Sequence, residues 1–391
     1  MRILIGTEVF YPQVYGGGEV FALNVSRALV KHGHEVHVIC PQRSYLDEGI
    51  PSAGYEVVDG IQIHRIKGRF EYSSSIASLP FLITLTNASR RLIKEYGIDV
   101  ANPQIFRPCL PLYLASKGLC PCVATFFDIY SNGGFLGLEH WLRIYSLTGF
   151  AGWGLEQLIL RIPYHRMLTI SEAVKSKLLK YQPRENIDVV YCGVDLTPFP
   201  EARKKKVENQ LLFLGRLVNY KNVFDAIKAV TIVRKTFPDS TLIIVGSGPL
   251  ESHIESISRT YNFIKFFRRP PLSDEDKARI LEESEVLLLP SSDEGFGLVL
   301  LEANMALTPY VAYDIPALRE VTRLTGGGLT TTYKNVDEFA QAIINLLENK
   351  DVAFDMAQKG RQVSIERFSW DSVAKLVERC FEKAIAAYKA D

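Results

Sequence analysis

Short runs of β-branched and aliphatic residues recur along the chain, at 2–5, 36–39, 61–65, 100–101, 123–126, 167–170 and 187–190. Between them lie amphipathic stretches such as 20–31 and 173–180, whose apolar positions repeat three and four residues apart. Strands alternating with helices predict parallel βα units and a doubly wound sheet. The alternation pauses at Thr197-Pro198-Phe199-Pro200, and the charged stretch 201–206 that follows holds four consecutive basic residues. A proline pair beside a charge run reads as a linker, with the cations on a solvated face. The pattern then restarts: strand 211–214, helix 224–236, strand 241–245, a helix from Leu250, strand 264–267, helix 274–283, strand 286–289 and helix 298–306. The fold class predicted is α/β, with two Rossmann-like domains, 1–197 and 198–365, facing a central cleft at the carboxyl ends of their strands. A last helix over 370–388, within a tail 366–391, spans about 28 Å, enough to return to the first domain.

Composition narrows the function classes. Lys and Arg number 45 against 44 Asp and Glu in 391 residues, a net charge of +1. Split at residue 200, the halves carry 19 basic against 17 acidic and 26 against 27. Neither half offers the cation excess that nucleic-acid binding draws on, so no nucleic-acid partner is expected. Six cysteines are too few for a disulfide scaffold, and Cys120-Pro121-Cys122 lacks a second ligand pair at zinc spacing, so buried thiols in a reducing compartment are expected. The chain opens directly on a strand pattern, and its longest uncharged run, 72–89, is broken by Ser, Thr and Pro. A cytoplasmic protein is the expectation.

Three stretches carry chemistry. The first is Ser292-Asp293-Glu294-Gly295-Phe296-Gly297-Leu298-Val299-Leu300-Leu301-Glu302, between a predicted strand and helix. Gly295 and Gly297 let backbone amides approach a ligand at a helix amino end, and two carboxylates beside that turn suit vicinal hydroxyls. The second is Gly215-Arg216-Leu217-Val218-Asn219-Tyr220-Lys221, where two cations in a strand-to-helix loop are placed to neutralise a diphosphate. The third is Tyr11-Pro12-Gln13-Val14-Tyr15-Gly16-Gly17-Gly18-Glu19, a glycine turn opening a helix. It is not the GxGxxG fingerprint, and Cys40-Pro41 stands where a dinucleotide site has its acidic residue, which disfavours a nicotinamide enzyme. Gly246-Ser247-Gly248-Pro249 closes another strand as a tight turn, and Asp274-Glu275-Asp276 after Ser273 reads as a capped helix start rather than a DxD metal motif.

Together these stretches resemble the retaining glycosyltransferases of family 4, which have the two-domain GT-B fold. The resemblance runs nearly end to end, through Gly33-His34-Glu35-Val36, Ile170-Ser171-Glu172-Ala173, Cys192-Gly193-Val194-Asp195 and Phe368-Ser369-Trp370 as well. It implies transfer of a hexose from a UDP- or GDP-linked donor to a hydroxyl of a glycan or lipid-linked acceptor, with retention, in glycan biosynthesis. The first domain would take the acceptor and the second the donor. By the resemblance Arg216 and Lys221 clamp the diphosphate, Glu302 holds the ribose, and Glu294 with the amides around Gly295, Phe296, Gly297 and Leu298 meets the sugar. Gly16 and Gly17 approach the phosphate, Gly246 lines the donor side, and the cations replace a metal, so neither metal nor cofactor is expected.

The chain also departs from the family pattern. Phe127 follows Thr125-Phe126 where a His is usual, Asn102 and Gln104 stand for a His-x-His, Leu307 for a turn glycine, and Arg268-Arg269 for a glycine near the base. Asp128, next to Phe127, is then the candidate polar contact to the sugar and joins Glu294, Arg216 and Lys221 as catalytic candidates. Other readings stay open: a GT-B epimerase or phosphorylase-like enzyme, or a non-catalytic relative that binds sugar nucleotide. The segment 133–163, rich in Leu, Ile, Phe and Trp with few charges, fits either a peripheral membrane contact for a lipid-linked acceptor or a core helix pair.

Overall fold

The computed structural model describes residues 1–12, 16–42, 54–68, 79–129, 149–199, 206–268 and 273–390. They form two compact units: Met1–Gly193 with Trp370–Asp391, and Val194–Ser369.

The first unit begins with β1 (Arg2–Gly6), α1 (Gly17–Lys31), β2 (Glu35–Pro41), β3 (Tyr55–Val58) and β4 (Ile61–Ile66). It continues with α2 (Leu79–Tyr96), β5 (Val100–Pro103), α3 (Cys109–Ser116), β6 (Val123–Phe126), α4 (Gly149–Leu160), β7 (Arg166–Thr169), α5 (Glu172–Leu178) and β8 (Ile187–Val189). The sheet order is β3-β4-β2-β1-β5, and a second ladder runs β6-β7-β8. Bridges from Ala101 to Cys122 and from Gln104 to Thr125 carry β5 on to β6. All pairings are parallel except β3 with β4. That edge hairpin turns at Asp59-Gly60, both with positive φ (52° and 80°), as a two-residue hairpin requires. The middle strands are buried on both faces, as in β1, where Ile3, Leu4 and Ile5 are fully covered. Leu4, Ile39, Leu85, Ile93 and Leu112 form one side of this core, each contributing about 1.5–3 kcal/mol on burial.

The second unit holds β9 (Gln210–Leu214), α6 (Val223–Val233), β10 (Thr241–Gly246), α7 (Glu251–Thr260), β11 (Ile264–Arg268), α8 (Asp274–Glu283), β12 (Val286–Leu289) and α9 (Leu298–Met305). The sequence pattern anticipates these. Beyond them come β13 (Tyr310–Tyr313), α10 (Pro316–Thr325), β14 (Gly328–Thr331), α11 (Val336–Glu348) and α12 (Lys350–Phe368), which extend the alternation past residue 306, where the sequence reading stops it. The six strands are all parallel, in the order β11-β10-β9-β12-β13-β14. Counted from its own first strand this is the 3-2-1-4-5-6 order of a doubly wound sheet, whose direction of winding reverses between β9 and β12.

The last helix, α13 (Trp370–Ala390), belongs to the first unit and packs on α1. The Trp370 ring meets Phe21 edge-on at 6.0 Å and lies so close to Gly193 that a Cβ there would come within 2.5 Å of it. His32, at the carboxyl end of α1, reaches Asp371 at 2.7 Å and Glu378 at 2.6 Å on α13. All six cysteines are buried thiols.

Candidate active site

In the second unit the loops after β9 and β12 leave the sheet side by side at the reversal of winding, where open α/β sheets bind their ligands. Backbone and side-chain bonds lace the loops together. The amide and hydroxyl of Ser292 donate to the Tyr220 carbonyl (2.8 and 3.1 Å), and Asn222 Nδ2 donates to the Pro290 carbonyl (2.8 Å). Asn222 takes a left-handed conformation (φ 49°), which ends the short turn Asn219–Lys221 and opens α6. This lacing brings Lys221 against Glu294: the ammonium donates to the carboxylate in a close ion pair, with side chains only 13% and 12% exposed.

Arg216 is exposed and donates to the Tyr220 hydroxyl. Its guanidinium carbon lies 5.8 Å from the centre of that ring, and Lys221 Nζ lies 5.7 Å from it. Two cations thus gather about one tyrosine ring, Arg216 at its hydroxyl end. Their mutual repulsion is eased by Glu294 on one side and would be eased further by an anion. Tyr220 lies between the two cations in sequence, and nothing in the composition of that loop singles it out.

The glycine turn after β10 has a packing reason. A Cβ on Gly246 would sit 2.0 Å from the Gly215 carbonyl oxygen, and Gly248, at φ 150°, faces the Leu217 carbonyl. Leu217 N donates to Ser247 O at 2.8 Å, and Leu250 N to Leu217 O at 3.1 Å. Gly246 therefore supports the loop that carries Arg216. On the other side, Gly297 (φ 100°) caps α9, where a side chain would be strained and would meet Leu318. Phe296 turns inward, 2% exposed, against Phe368. The amino end of α9 at Leu298 and the Glu294 carboxylate therefore belong to one loop.

Glu302, one turn into α9, accepts from Lys277 of α8 at 2.9 Å, and Lys277 also reaches Asp274 at 3.1 Å. The two carboxylates, Glu302 above all, raise the pKa of Lys277. The sequence reading passes over Lys277, because its partner lies on another helix. Asp274-Glu275-Asp276 is the first turn of α8, as read: the Asp276 amide donates to Ser273 Oγ at 3.0 Å. Among the described residues no group of three or more His, Cys, Asp or Glu side chains is placed to hold a metal ion.

In the first unit the glycine turn opens α1, with Gly16 as its cap in extended backbone and Gly17 as its first residue. A Cβ on Gly18 would meet Ile105 and the Phe127 ring, both at 3.3 Å. Phe127 stacks edge-on with Phe21 at 5.2 Å, so it covers the start of α1. Asp128 is engaged by Lys177 of α5 at 2.7 Å and accepts the Ile129 amide at 2.7 Å. Asn102 and Gln104 form a buried amide ladder on β5 and β6. Gln104 Nε2 donates to Asn102 Oδ1, and Asn102 Nδ2 donates to Thr125 Oγ1, both at 2.9 Å. Glu8, which sequence gives no reason to single out, is a buried carboxylate after β1 that accepts the Arg107 amide at 3.0 Å. Leu307 has φ 53°, the conformation that favours glycine; it is buried there, and its amide donates a hydrogen bond to the Asn304 carbonyl at 3.0 Å. Residues 133–148 of the apolar segment, the run 201–205 and Arg269 lie outside the described residues. Among those described, no helix is long and apolar enough to cross a membrane.

The chain matches two family descriptions in tandem: Glycosyltransferase Family 4 over residues 15–198 and Glycosyl transferases group 1 over 195–363. It is 25% identical over 390 residues to a glycogen synthase of Mycobacterium tuberculosis, covering 96% of this chain and 92% of that one. To a phosphatidyl-myo-inositol mannosyltransferase of Mycobacterium leprae it is 26% identical over 376 residues, covering 94% and 93%. Among solved structures it superposes on a sucrose-phosphate synthase from Thermosynechococcus elongatus with TM-score 0.80, 18% identity and 99% of both chains covered. The Anabaena protein HepE in complex with UDP and glucose gives TM-score 0.73 at 16% identity, covering 98% of this chain and 99% of that one.

Proposed function

The chain belongs to the group 1 glycosyl transferases of family 4, retaining enzymes of GT-B fold that move a sugar from a nucleotide-sugar donor, and from that premise we propose how its own residues do so. The observation that carries the reading is the pair of cations about Tyr220, with Glu294 beside them, where the winding of the second sheet reverses. Arg216 and Lys221 hold the donor diphosphate and stabilise the charge that develops as the nucleoside diphosphate departs. Lys221 leaves Glu294 for the phosphate, and the released carboxylate accepts hydroxyls of the transferred sugar. The amino end of α9 adds its dipole at the same place. Glu302 accepts the ribose hydroxyls. In the first unit the turn at Gly16 and Gly17 presents the amino end of α1 to an anion, and Asp128 beside Phe127 is the candidate polar contact to a sugar.

Such a site needs no metal, since the two cations supply the charge that magnesium would. The donor is a UDP- or GDP-linked hexose, in keeping with the UDP-bound HepE. The acceptor is a hydroxyl of a glycan or a lipid-linked glycan, in keeping with the names of the glycogen synthase and mannosyltransferase relatives. The domains of this reading are 1–197 for the acceptor, 198–365 for the donor and 366–391 as the returning tail.

The test is a thermal-shift panel of UDP, GDP and ADP with their hexose derivatives, followed by donor turnover in EDTA. A ligand at about 100 times its dissociation constant stabilises by about 2.7 kcal/mol. Stabilisation by one diphosphate, with turnover unchanged by EDTA, is expected. No stabilisation by any of them removes the donor site. Binding without turnover, with or without acceptor, favours the non-catalytic reading to which Phe127 points.

A further inference from the structure

Both glutamates of the Glu294–Glu302 stretch are matched by a lysine from another element, but the two matches differ in kind. Among the described residues Lys221 has one carboxylate partner, Glu294, and it sits beside Arg216 at a proposed phosphate site. Lys277 is held from two sides, by Glu302 at 2.9 Å and Asp274 at 3.1 Å. Neither it nor Glu302 is a surface side chain: their exposures are 24% and 22%. A charge desolvated to that degree is stable only while its partner stays in place, so the pair fixes both groups. The lysine occupies Glu302 Oε1. A carboxylate offers about four lone-pair directions, so Oε2 and the free side of Oε1 remain for two hydroxyl donors.

We propose that Lys277 is a positioning residue for the nucleotide: from the first turn of α8 it orients the Glu302 carboxylate so that its unused lone pairs meet the vicinal 2′- and 3′-hydroxyls of the donor ribose. The proposal rests on the reading of Glu302 as the ribose contact. Asp274 is part of the device, because it keeps the ammonium from following the ligand. A diol is recognised only when both acceptor directions are fixed, and a freely turning carboxylate loses that discrimination. The position thus sets selectivity for ribonucleotide over deoxynucleotide donors, without Lys277 itself needing to reach the sugar.

The readout is the ratio of dissociation constants, by calorimetry, of 2′,3′-dideoxy and ribo forms of one nucleoside diphosphate. The probe is whichever of UDP, GDP and ADP binds tightest to the wild-type protein. A ratio of about tenfold or more is expected for wild type, because the missing hydroxyls leave the carboxylate's remaining lone pairs without donors. Lys277→Met, with Lys277→Gln as the alternative should the first not fold, is expected to bring the ratio below about threefold, while Lys277→Arg restores most of it. A purely structural ion pair would weaken both ligands together and leave the ratio unchanged, and that result overturns the proposal. Glu302→Gln separates the premise from the inference. If it leaves the ratio at the wild-type value, Glu302 does not hold the ribose and both fall. If it lowers the ratio while Lys277→Met does not, only the role of Lys277 is refuted.

Discussion

At the scale of single residues, the proposed site is a balance of charges that a bound diphosphate would re-partition. Arg216 is exposed, with the Tyr220 hydroxyl as its bonded partner, and is free to turn toward a diphosphate. Charge-assisted bonds contribute roughly 1.5–3 kcal/mol, so Arg216→Ala should weaken nucleoside-diphosphate binding about tenfold or more while leaving the melting temperature close to wild type. Unchanged affinity in calorimetry removes the clamp. Glu294 differs, because it already holds the Lys221 ammonium that the proposed function gives to the phosphate. Glu294→Gln should therefore tighten binding of the bare diphosphate by about threefold and still cut turnover of the sugar donor. Weaker binding of the bare diphosphate would show that Glu294 organises Lys221 rather than masks it. The sequence singles out Arg216, Lys221, Glu294 and Glu302 as the candidates, because short loops with glycine punctuation announce themselves. It does not carry their partners. Tyr220 and Lys277 are ordinary residues in ordinary stretches, and only the sheet order and helix packing bring them to the site.

At the scale of elements, the parallel strands are legible because burial on both faces leaves continuous apolar runs, as in β1 and β12. The edge strand β3 alternates exposed and half-buried residues over only four positions and escapes notice, although its Asp59-Gly60 turn is a hairpin signal. Strand β14, with Gly and three Thr or Leu residues, is equally quiet. One pairing of elements has a consequence for acid stability. His37 on β2 and His64 on β4 are buried, stacked at 5.3 Å, and share a contact of 3.0 Å between Nδ1 and Nε2. Burial, and then the neighbouring His37 and Arg91 charges, hold His64 down to about 4, and burial lowers His37 as well. The folded protein thus binds these protons later than the unfolded chain, whose histidines titrate near 6.5. Stability contributed by the neutral pair is complete above about 6.5 and is lost as pH falls toward 4, by at most about 1.4 kcal/mol per unit for each group. His64→Gln should flatten the dependence of melting temperature on pH between those limits. An unchanged slope would place the acid-sensitive group elsewhere.

At the scale of the whole molecule, the first unit is discontinuous: its core is closed by α13, which arrives after the second unit is complete. Trp370 against Phe21 and Gly193, and His32 between Asp371 and Glu378, fasten that helix to α1. A chain ending at Ser369 should keep the second unit folded, with a melting transition of its own, and lose the first unit's transition. Retention of both transitions would mean that α13 is dispensable to the first core. The order of elements along the chain also has a bearing on synthesis. As the polypeptide leaves the ribosome, residues up to Gly193 emerge without the helix that packs on α1 and sets Trp370 against Phe21. The inserted unit can fold meanwhile, since its strands are contiguous from Gln210 onward. At about 5–20 residues per second, the nascent first unit waits roughly 10–40 s with that face of α1 open. Its exposure to chaperones, and to other nascent chains on the same message, is thereby written into the path of the backbone.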